Sequence, residues 1–334
     1  MQPSFFEIDF GEPEEEVLFA RDQDGRLIRL DEPTAADYDR LLTLRIDGEP
    51  VTVPRARPAT DAQGNIVLDL EGRTRPRATT IFDAAAQLLR EREERYEASD
   101  APGSPPRHPI PVLCHQDHLR PVAVCRFCVV AICKDKRDRK TGEVRPTFER
   151  KLLPACQHRV EETMNVVTLD FPEGRLGEVF PVQPLAGEAR RVLASLRSAV
   201  RVLAELLLAD RPPAGEGLPL EHDELHQVAG RLGVTRPRFA PPRDRPGRDD
   251  SSPVIHVDHA ACILCDRCVR ACDEVKQNFV IGRCGKGAAT RIAFDLDDPM
   301  GASSCVRCGE CMVTCPTGAL TAKYHVHDRG RGVR

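Results

Sequence analysis

Cys262-Ile263-Leu264-Cys265-Asp266-Arg267-Cys268-Val269-Arg270-Ala271-Cys272 and Cys305-Val306-Arg307-Cys308-Gly309-Glu310-Cys311-Met312-Val313-Thr314-Cys315 carry the same spacing, C-x2-C-x2-C-x3-C, and Pro316 follows the second run. Three thiolates on one tight loop reach three corners of an iron–sulfur cube, and a ligand from elsewhere must supply the fourth. Zinc knuckles would present paired C-x2-C arms without this rhythm.

Matched runs of this kind are the ligand pattern of two-cluster bacterial ferredoxins, where the fourth cysteine of each run crosses to the other cluster. On that scheme Cys262, Cys265, Cys268 and Cys315 hold one [4Fe–4S] cluster, and Cys305, Cys308, Cys311 and Cys272 hold the second.

The chain has 334 residues, enough for two or three domains. A formal charge of −4 gives no reason to expect nucleic acid or a membrane surface as partner. No apolar run approaches the roughly 18 residues of a membrane span. The first 50 residues hold 14 acidic and 5 basic side chains, without the basic start and apolar stretch of a secretion signal. The 14 cysteines therefore read as cluster ligands in a reducing cytoplasm, not as the disulfide scaffold of a small secreted chain.

Residues 1–40 are an acidic extension, in which Asp24-Gly25 offers a hairpin turn between Val17 and Leu30. From Leu42 the pattern sharpens. Leu42, Leu44 and Ile46 alternate, Asp47-Gly48 is a turn pair, and Val51 and Val53 alternate again. Pro54 to Arg77 read as a loop insertion. Thr80 and Asp83 then stand at capping-box spacing ahead of a helix through Leu89. Strand, turn, strand and helix in this order suit a β-grasp ferredoxin domain.

A second cysteine group follows as C-x10-C-x2-C-x27-C, comprising Cys114, Cys125, Cys128 and Cys156. Four cysteines with two adjacent arms suit a [2Fe–2S] cluster, which takes two thiolates per iron. Val112-Leu113-Cys114-His115, Cys125-Arg126-Phe127-Cys128-Val129-Val130 and Leu153-Pro154-Ala155-Cys156 resemble the [2Fe–2S] domain of the large iron–sulfur subunit of respiratory complex I. They are equally similar to the diaphorase small subunit of NAD-reducing hydrogenases, and to the N-terminal regions of iron-only hydrogenases and NAD-linked formate dehydrogenases. The resemblance spans roughly 42–56 and 78–323, and it implies a β-grasp domain with those four cysteines as ligands.

The chain departs from these families at three points. Ala123 replaces a glycine two residues before the second cysteine. The segment Lys134 to Lys151, with 8 basic and 4 acidic residues, is a longer hairpin excursion with Thr141-Gly142 near its tip. An expected H-x3-C-x2-C-x5-C cluster motif is missing: Arg211 stands where its histidine would be, and no cysteine lies between Cys156 and Cys262. The scaffold around that site survives as the helix 188–209, whose stripe Val192, Leu196, Ala199, Leu203 and Leu206, with Leu193, Val200 and Leu207 alongside and Arg190, Arg191, Arg197 and Arg201 on the other side, marks a core or docking face. His222 and His226 are spaced to share a helical face, but no ligand set accompanies them. Cys133 alternates away from Cys128 and reads as a small buried residue. His115 and His118 read as exposed loop histidines, and Cys284 as a buried free thiol.

The expected architecture is α+β. It comprises the acidic extension 1–40, a β-grasp [2Fe–2S] domain 41–175, a helical linker 176–250 and a two-cluster ferredoxin domain 251–334. There is no dinucleotide fingerprint, phosphate loop or nucleophile with its base. The sequence given runs on for fewer than 20 residues beyond Cys315. We therefore expect a non-catalytic electron-transfer subunit of a multi-subunit oxidoreductase. It would relay single electrons between an NAD(P)H-linked flavoprotein and a catalytic subunit of the hydrogenase, formate dehydrogenase or complex I kind. The alternatives are an iron–sulfur redox sensor, for which three carriers are more than the task requires, and a free-standing ferredoxin.

Overall fold

The computed structural model describes residues 19–21, 27–29, 33–61, 63–68, 72–99, 104–138, 141–181, 185–211, 223–241 and 247–323. In the acidic extension, strand β1 (Phe19–Arg21) pairs antiparallel with β2 (Leu27–Arg29). The expected turn at Asp24-Gly25 lies outside the described residues, as does His222.

Alternation makes the next hairpin. Strands β3 (Leu41–Ile46) and β4 (Glu49–Pro54) bury Leu42, Leu44, Ile46, Val51 and Val53 on one face. Asp47 and Gly48 join them at φ 52° and 85°, both in the left-handed region that a two-residue hairpin turn needs. A β-carbon at Gly48 would also lie only 2.6 Å from Val179 Cγ2.

The expected loop insertion is instead a β-ribbon. Strand β5 (Ala56–Pro58) pairs with β6 (Pro76–Ala78), and bridges Thr60–Ile66 and Leu68–Thr74 extend the ladder outward. Both Ile66 and Leu68 are exposed, so the ribbon lacks the buried face that makes a strand readable. Helix α1 (Ile81–Glu97) begins with the expected capping box: Thr80 Oγ1 accepts from the Asp83 amide at 3.2 Å, and Asp83 Oδ2 from the Thr80 amide at 2.9 Å. The buried Asp83 also receives Arg57 and Arg77 from the ribbon, at 2.9 and 2.8 Å, tying ribbon to helix.

Strands β7 (Val129–Arg137), β8 (Val144–Phe148), β9 (Leu153–Pro154) and β10 (Asn165–Val167) complete the sheet in the order β4-β3-β10-β7-β8, with β9 beside the start of β7. Strand β10 is parallel to β3 and antiparallel to β7, and helix α1 covers one face with Ile81, Ala84, Ala85 and Leu88. Cys128, Val130 and Ile132 join that core, whereas Ala131 and Cys133 enter a second core on the opposite face.

The second face is covered by α2 (Leu176–Val179) and α3 (Leu185–Asp210). The buried line of α3 is Leu193, Leu196, Val200 and Ala204, on the apolar side expected but nearer its Leu193–Val200 edge; Leu206 is exposed. The other side carries Arg190, Arg191 and Arg201, which are exposed, and half-buried Arg197. Helix α4 (Glu224–Arg231) packs on its far end through Leu225 and Ala229.

Beyond the linker, β11 (Arg248–Asp249), β12 (Ile255–Asp258) and a final strand form a three-stranded antiparallel sheet. Helix α5 (Arg267–Arg270) widens into a π turn over Ala271–Val275. Strands β13 (Ile281–Cys284) and β14 (Arg291–Phe294) make a hairpin, helix α6 spans Glu310–Thr314, and the final strand β15 is Leu320–Ala322. The class is mixed α and β. Among the described residues no helix is long and apolar enough to cross a membrane.

Candidate metal centres

Residues 110–128 form a loop that leads into β7. Cys114, Cys128 and Cys156 are fully buried and Cys125 is half-buried. Cys128 immediately precedes β7, Cys156 lies two residues past β9, and the Ala155 amide donates to the Cys128 carbonyl at 2.9 Å. The Cys128 and Cys156 sulfurs lie 3.4 Å apart, and the Cys114 thiol contacts both Cys125 and Cys156. Tetrahedral ligation with metal–sulfur bonds of about 2.3 Å calls for sulfurs about 3.8 Å apart on each metal, so thiols this close together suit a shared two-iron site. Contact with Cys125 and Cys156 holds the Cys114 thiol far below its ordinary value, while the same contact and burial push Cys125 and Cys156 up. Main-chain amides of Cys125 and Val124 also aim at Cys114, and that of Phe127 at Cys125, favouring thiolates.

Ala123, where the resembling families have glycine, sits at φ 53° and is buried. That conformation costs an alanine about 1–2 kcal/mol. His115 departs from expectation. It is buried, edge-on to Phe82 with ring centroids 5.1 Å apart, and its Nε2 lies 3.6 Å from Asp117 Oδ1.

The eight C-terminal cysteines sort into two cages. One is lined by Cys262, Cys265, Cys268 and Cys315, the other by Cys272, Cys305, Cys308 and Cys311, and each is open on one side. Each run thus sends its fourth cysteine to the opposite cage. The two loops share backbone geometry: Leu264 and Asp266 have φ of 53° and 60°, and Arg307 and Gly309, at the matching positions, have 60° and 83°. These kinks turn amides inward. The Leu264 amide donates to Cys262 Sγ and the Arg307 amide to Cys305 Sγ, each at 3.4 Å. Burial pushes Cys262 up to about 11 and Cys265 and Cys311 to about 12, so thiolates there need a metal's charge. Among the described residues no three Cys, His, Asp or Glu side chains close around a single ion.

Arg211 fills the place of the missing histidine ligand. It is buried and donates to Asp223 Oδ1 and Oδ2 at 2.9 and 2.7 Å and to the Thr317 carbonyl at 2.9 Å. Asp223 also accepts from the His226 amide, and His226 Nδ1 lies 2.9 Å from Asp223 Oδ2; the described part of the proposed His222–His226 pair is thus engaged with a carboxylate. Buried Arg267 meets Glu224 through two bonds of 2.7 Å. Sequence reasoning missed Arg267 and Arg270; their presence in one run, where the other has Glu310 and Val313, was the available signal. Cys133 is buried as expected. Cys284 is half-exposed, 3.5 Å from Asp297 Oδ1, because its hairpin lies at the surface.

Residues 252–321 match the family of the ferredoxin-like domain of NADH-quinone oxidoreductase subunit 3. The chain is also 26% identical over 278 residues to the NADP-reducing hydrogenase subunit HndD of Solidesulfovibrio fructosivorans, covering 79% of this chain and 37% of that one. It is 30% identical over 213 residues to an NADH-quinone oxidoreductase subunit of Rhizobium meliloti, covering 63% and 20%. A Staphylococcus haemolyticus protein described as a formate dehydrogenase is 25% identical over 213 residues, covering 63% and 18%. The chain therefore spans about a fifth to about a third of these relatives' lengths. A chain in the crystal structure of an NAD+-reducing [NiFe]-hydrogenase shares the fold, with TM-score 0.55, 20% identity and coverage of 84% of this chain and 87% of that one. The kinship expected from the cysteine motifs is found, and the ferredoxin-like domain makes this an iron–sulfur chain.

Proposed function

We propose that the chain is an electron-transfer subunit of a multi-subunit oxidoreductase, carrying one [2Fe–2S] and two [4Fe–4S] clusters. Cys114, Cys125, Cys128 and Cys156 would hold the first, in a β-grasp domain over residues 41–175. Cys262, Cys265, Cys268 and Cys315 would hold one cubane, and Cys272, Cys305, Cys308 and Cys311 the other, in a domain over 251–334. The reading rests above all on the sorting of eight cysteines into two four-thiol cages with crossed fourth ligands.

Bound clusters would supply one-electron chemistry. The chain's own residues bury the thiols, turn main-chain amides toward sulfur and keep bulk water from the inner sites, which together set reduction potentials. The partners are an NAD(P)H-linked flavoprotein on one side and a catalytic subunit on the other. The relatives' names, which include an NADP-reducing hydrogenase subunit and an NADH-quinone oxidoreductase subunit, support that choice. The cytoplasm is the compartment that suits fourteen unpaired cysteines.

Protein purified without oxygen, or reconstituted with iron and sulfide, should hold about ten irons per chain. Zinc in their place, or about four irons, would contradict the assignment. Affinity capture from the native cell should return a flavoprotein together with a hydrogenase-type or dehydrogenase-type subunit.

A further inference from the structure

We infer that Arg270 is the positioning residue that fastens the Cys114 loop to the first cubane loop and sets the gap between those two cluster sites. The inference rests on the cluster reading above. Arg270 lies between Cys268 and Cys272 and is only 6% exposed. Its Nη2 donates to the carbonyl of Cys114, its Nη1 to the carbonyl of Arg120 at 2.6 Å, and its Nε to the carbonyl of Asp266 at 3.2 Å. One planar guanidinium thus holds the main chain of a [2Fe–2S] ligand, the same loop six residues on, and its own loop. A second link runs alongside, from the Arg120 amide to Glu274 Oε2 at 2.9 Å.

The electrostatics point the same way. All three nitrogens of Arg270 go to main-chain carbonyls, and no described carboxylate pairs with it. Its neighbour Arg267, equally buried, has the bidentate Glu224. A buried cation without a carboxylate is unfavourable unless other negative charge stands close. Iron–sulfur clusters on four thiolates are anions, and Arg270 stands between two such sites. The matching position in the second run is Val313, which is 83% exposed. Only the inner run carries the fastening. Electron exchange between the two sites makes and breaks no bond, so its rate is governed by their separation and energy gap, and Arg270 bears on both.

The test compares Arg270→Gln, Arg270→Lys and Glu274→Gln with the parent chain, all prepared anaerobically. Iron and sulfide content should stay at the parent level. In Arg270→Gln, amide exchange over residues 115–124 should quicken about ten- to a hundredfold, as loss of charge-assisted bonds requires, while β7 and β10 keep their protection. The spin relaxation of the reduced [2Fe–2S] signal should lose its enhancement by the reduced cubane, and both reduction potentials should fall. Arg270→Lys should restore the potentials, because the charge remains, but not the exchange protection, because one ammonium cannot span three carbonyls. Glu274→Gln, an exposed change that leaves folding intact, should quicken exchange at Arg120 and its neighbours to a smaller degree.

Normal iron with unchanged exchange and unchanged spin coupling in Arg270→Gln overturns the inference. So does a fall in potential that Arg270→Lys does not restore. Should Arg270→Gln fail to fold, the lysine and Glu274 variants decide by the same readouts. A parent chain without a [2Fe–2S] signal would instead overturn the cluster reading, and iron analysis alone distinguishes that failure.

Discussion

Two runs of eleven residues share every cysteine and the same left-handed kinks, yet they occupy opposite situations. Cys262–Cys272 lies inward, with Arg267 and Arg270 buried and reaching to α4 and to the Cys114 loop. Cys305–Cys315 lies outward, with Cys308 exposed and Val306 and Val313 65% and 83% exposed. Position for position, Arg267 is matched by Glu310 and Arg270 by Val313. The ligand spacing builds the cage, and the residues between the ligands decide what the cage faces. On the proposed function the inner cage faces the chain's own [2Fe–2S] site, and the outer one presents apolar surface where a partner would dock.

The comparison is most severely tested through its crossed ligands. A chain lacking Cys272 and Cys305 should lose a single cubane and keep about six of about ten irons, because both cysteines line the outer cage. One lacking Cys272 and Cys262 should lose both cubanes and keep about two irons. The opposite pattern would mean that each run holds its own fourth ligand. Next in size is the clamp beneath the inner cage. Arg211→Ala strips the buried Asp223 carboxylate of its guanidinium, and denaturant unfolding should reveal a loss of about 3–5 kcal/mol.

Asp47, far from both runs, gives a yardstick for the rest of the molecule. Burial raises its carboxyl to about 6, against the opposing hydrogen bonds from Thr168. Because the folded value exceeds the unfolded one, its contribution is fully present below about pH 4 and is lost as pH rises through about 6, a change of about 3 kcal/mol. Urea midpoints across that range should fall for the parent chain and flatten for Asp47→Asn. A rise would refute the placement of Asp47. The smallest effect belongs to the outer run: Val313→Ser should alter stability by less than about 0.5 kcal/mol. A larger loss would show that this chain covers Val313 itself.

Local chemistry was the most legible part of the sequence. The Thr80–Asp83 cap, the alternation of Leu42, Leu44 and Ile46, the turn at Asp47-Gly48 and the opposed faces of Cys128 and Cys133 all follow from nearest-neighbour rules. The crossed grouping of the eight C-terminal cysteines came from the resemblance to two-cluster ferredoxins, and it stays part of the proposal. What could not be read depended on partners distant in sequence. The ribbon 56–78 has no buried stripe, and His115 packs against Phe82 more than thirty residues earlier. Arg211 shows the limit best. Its mismatch with a histidine ligand was visible, but its bonds to Asp223 and Thr317 came only with the fold.

Helix α3 gives the molecule a sense of phase. It runs for 26 residues, about 39 Å at about 1.5 Å per residue, from the second face of the sheet to Arg211. Its start is keyed by Leu185 and Ala189, and the residue after its end by a bidentate ion pair. One extra residue within it would turn its far end by about 100° and swing the Arg211 guanidinium away from Asp223. The two halves of the chain are therefore indexed like gears, and this span tolerates length changes only in near-complete turns.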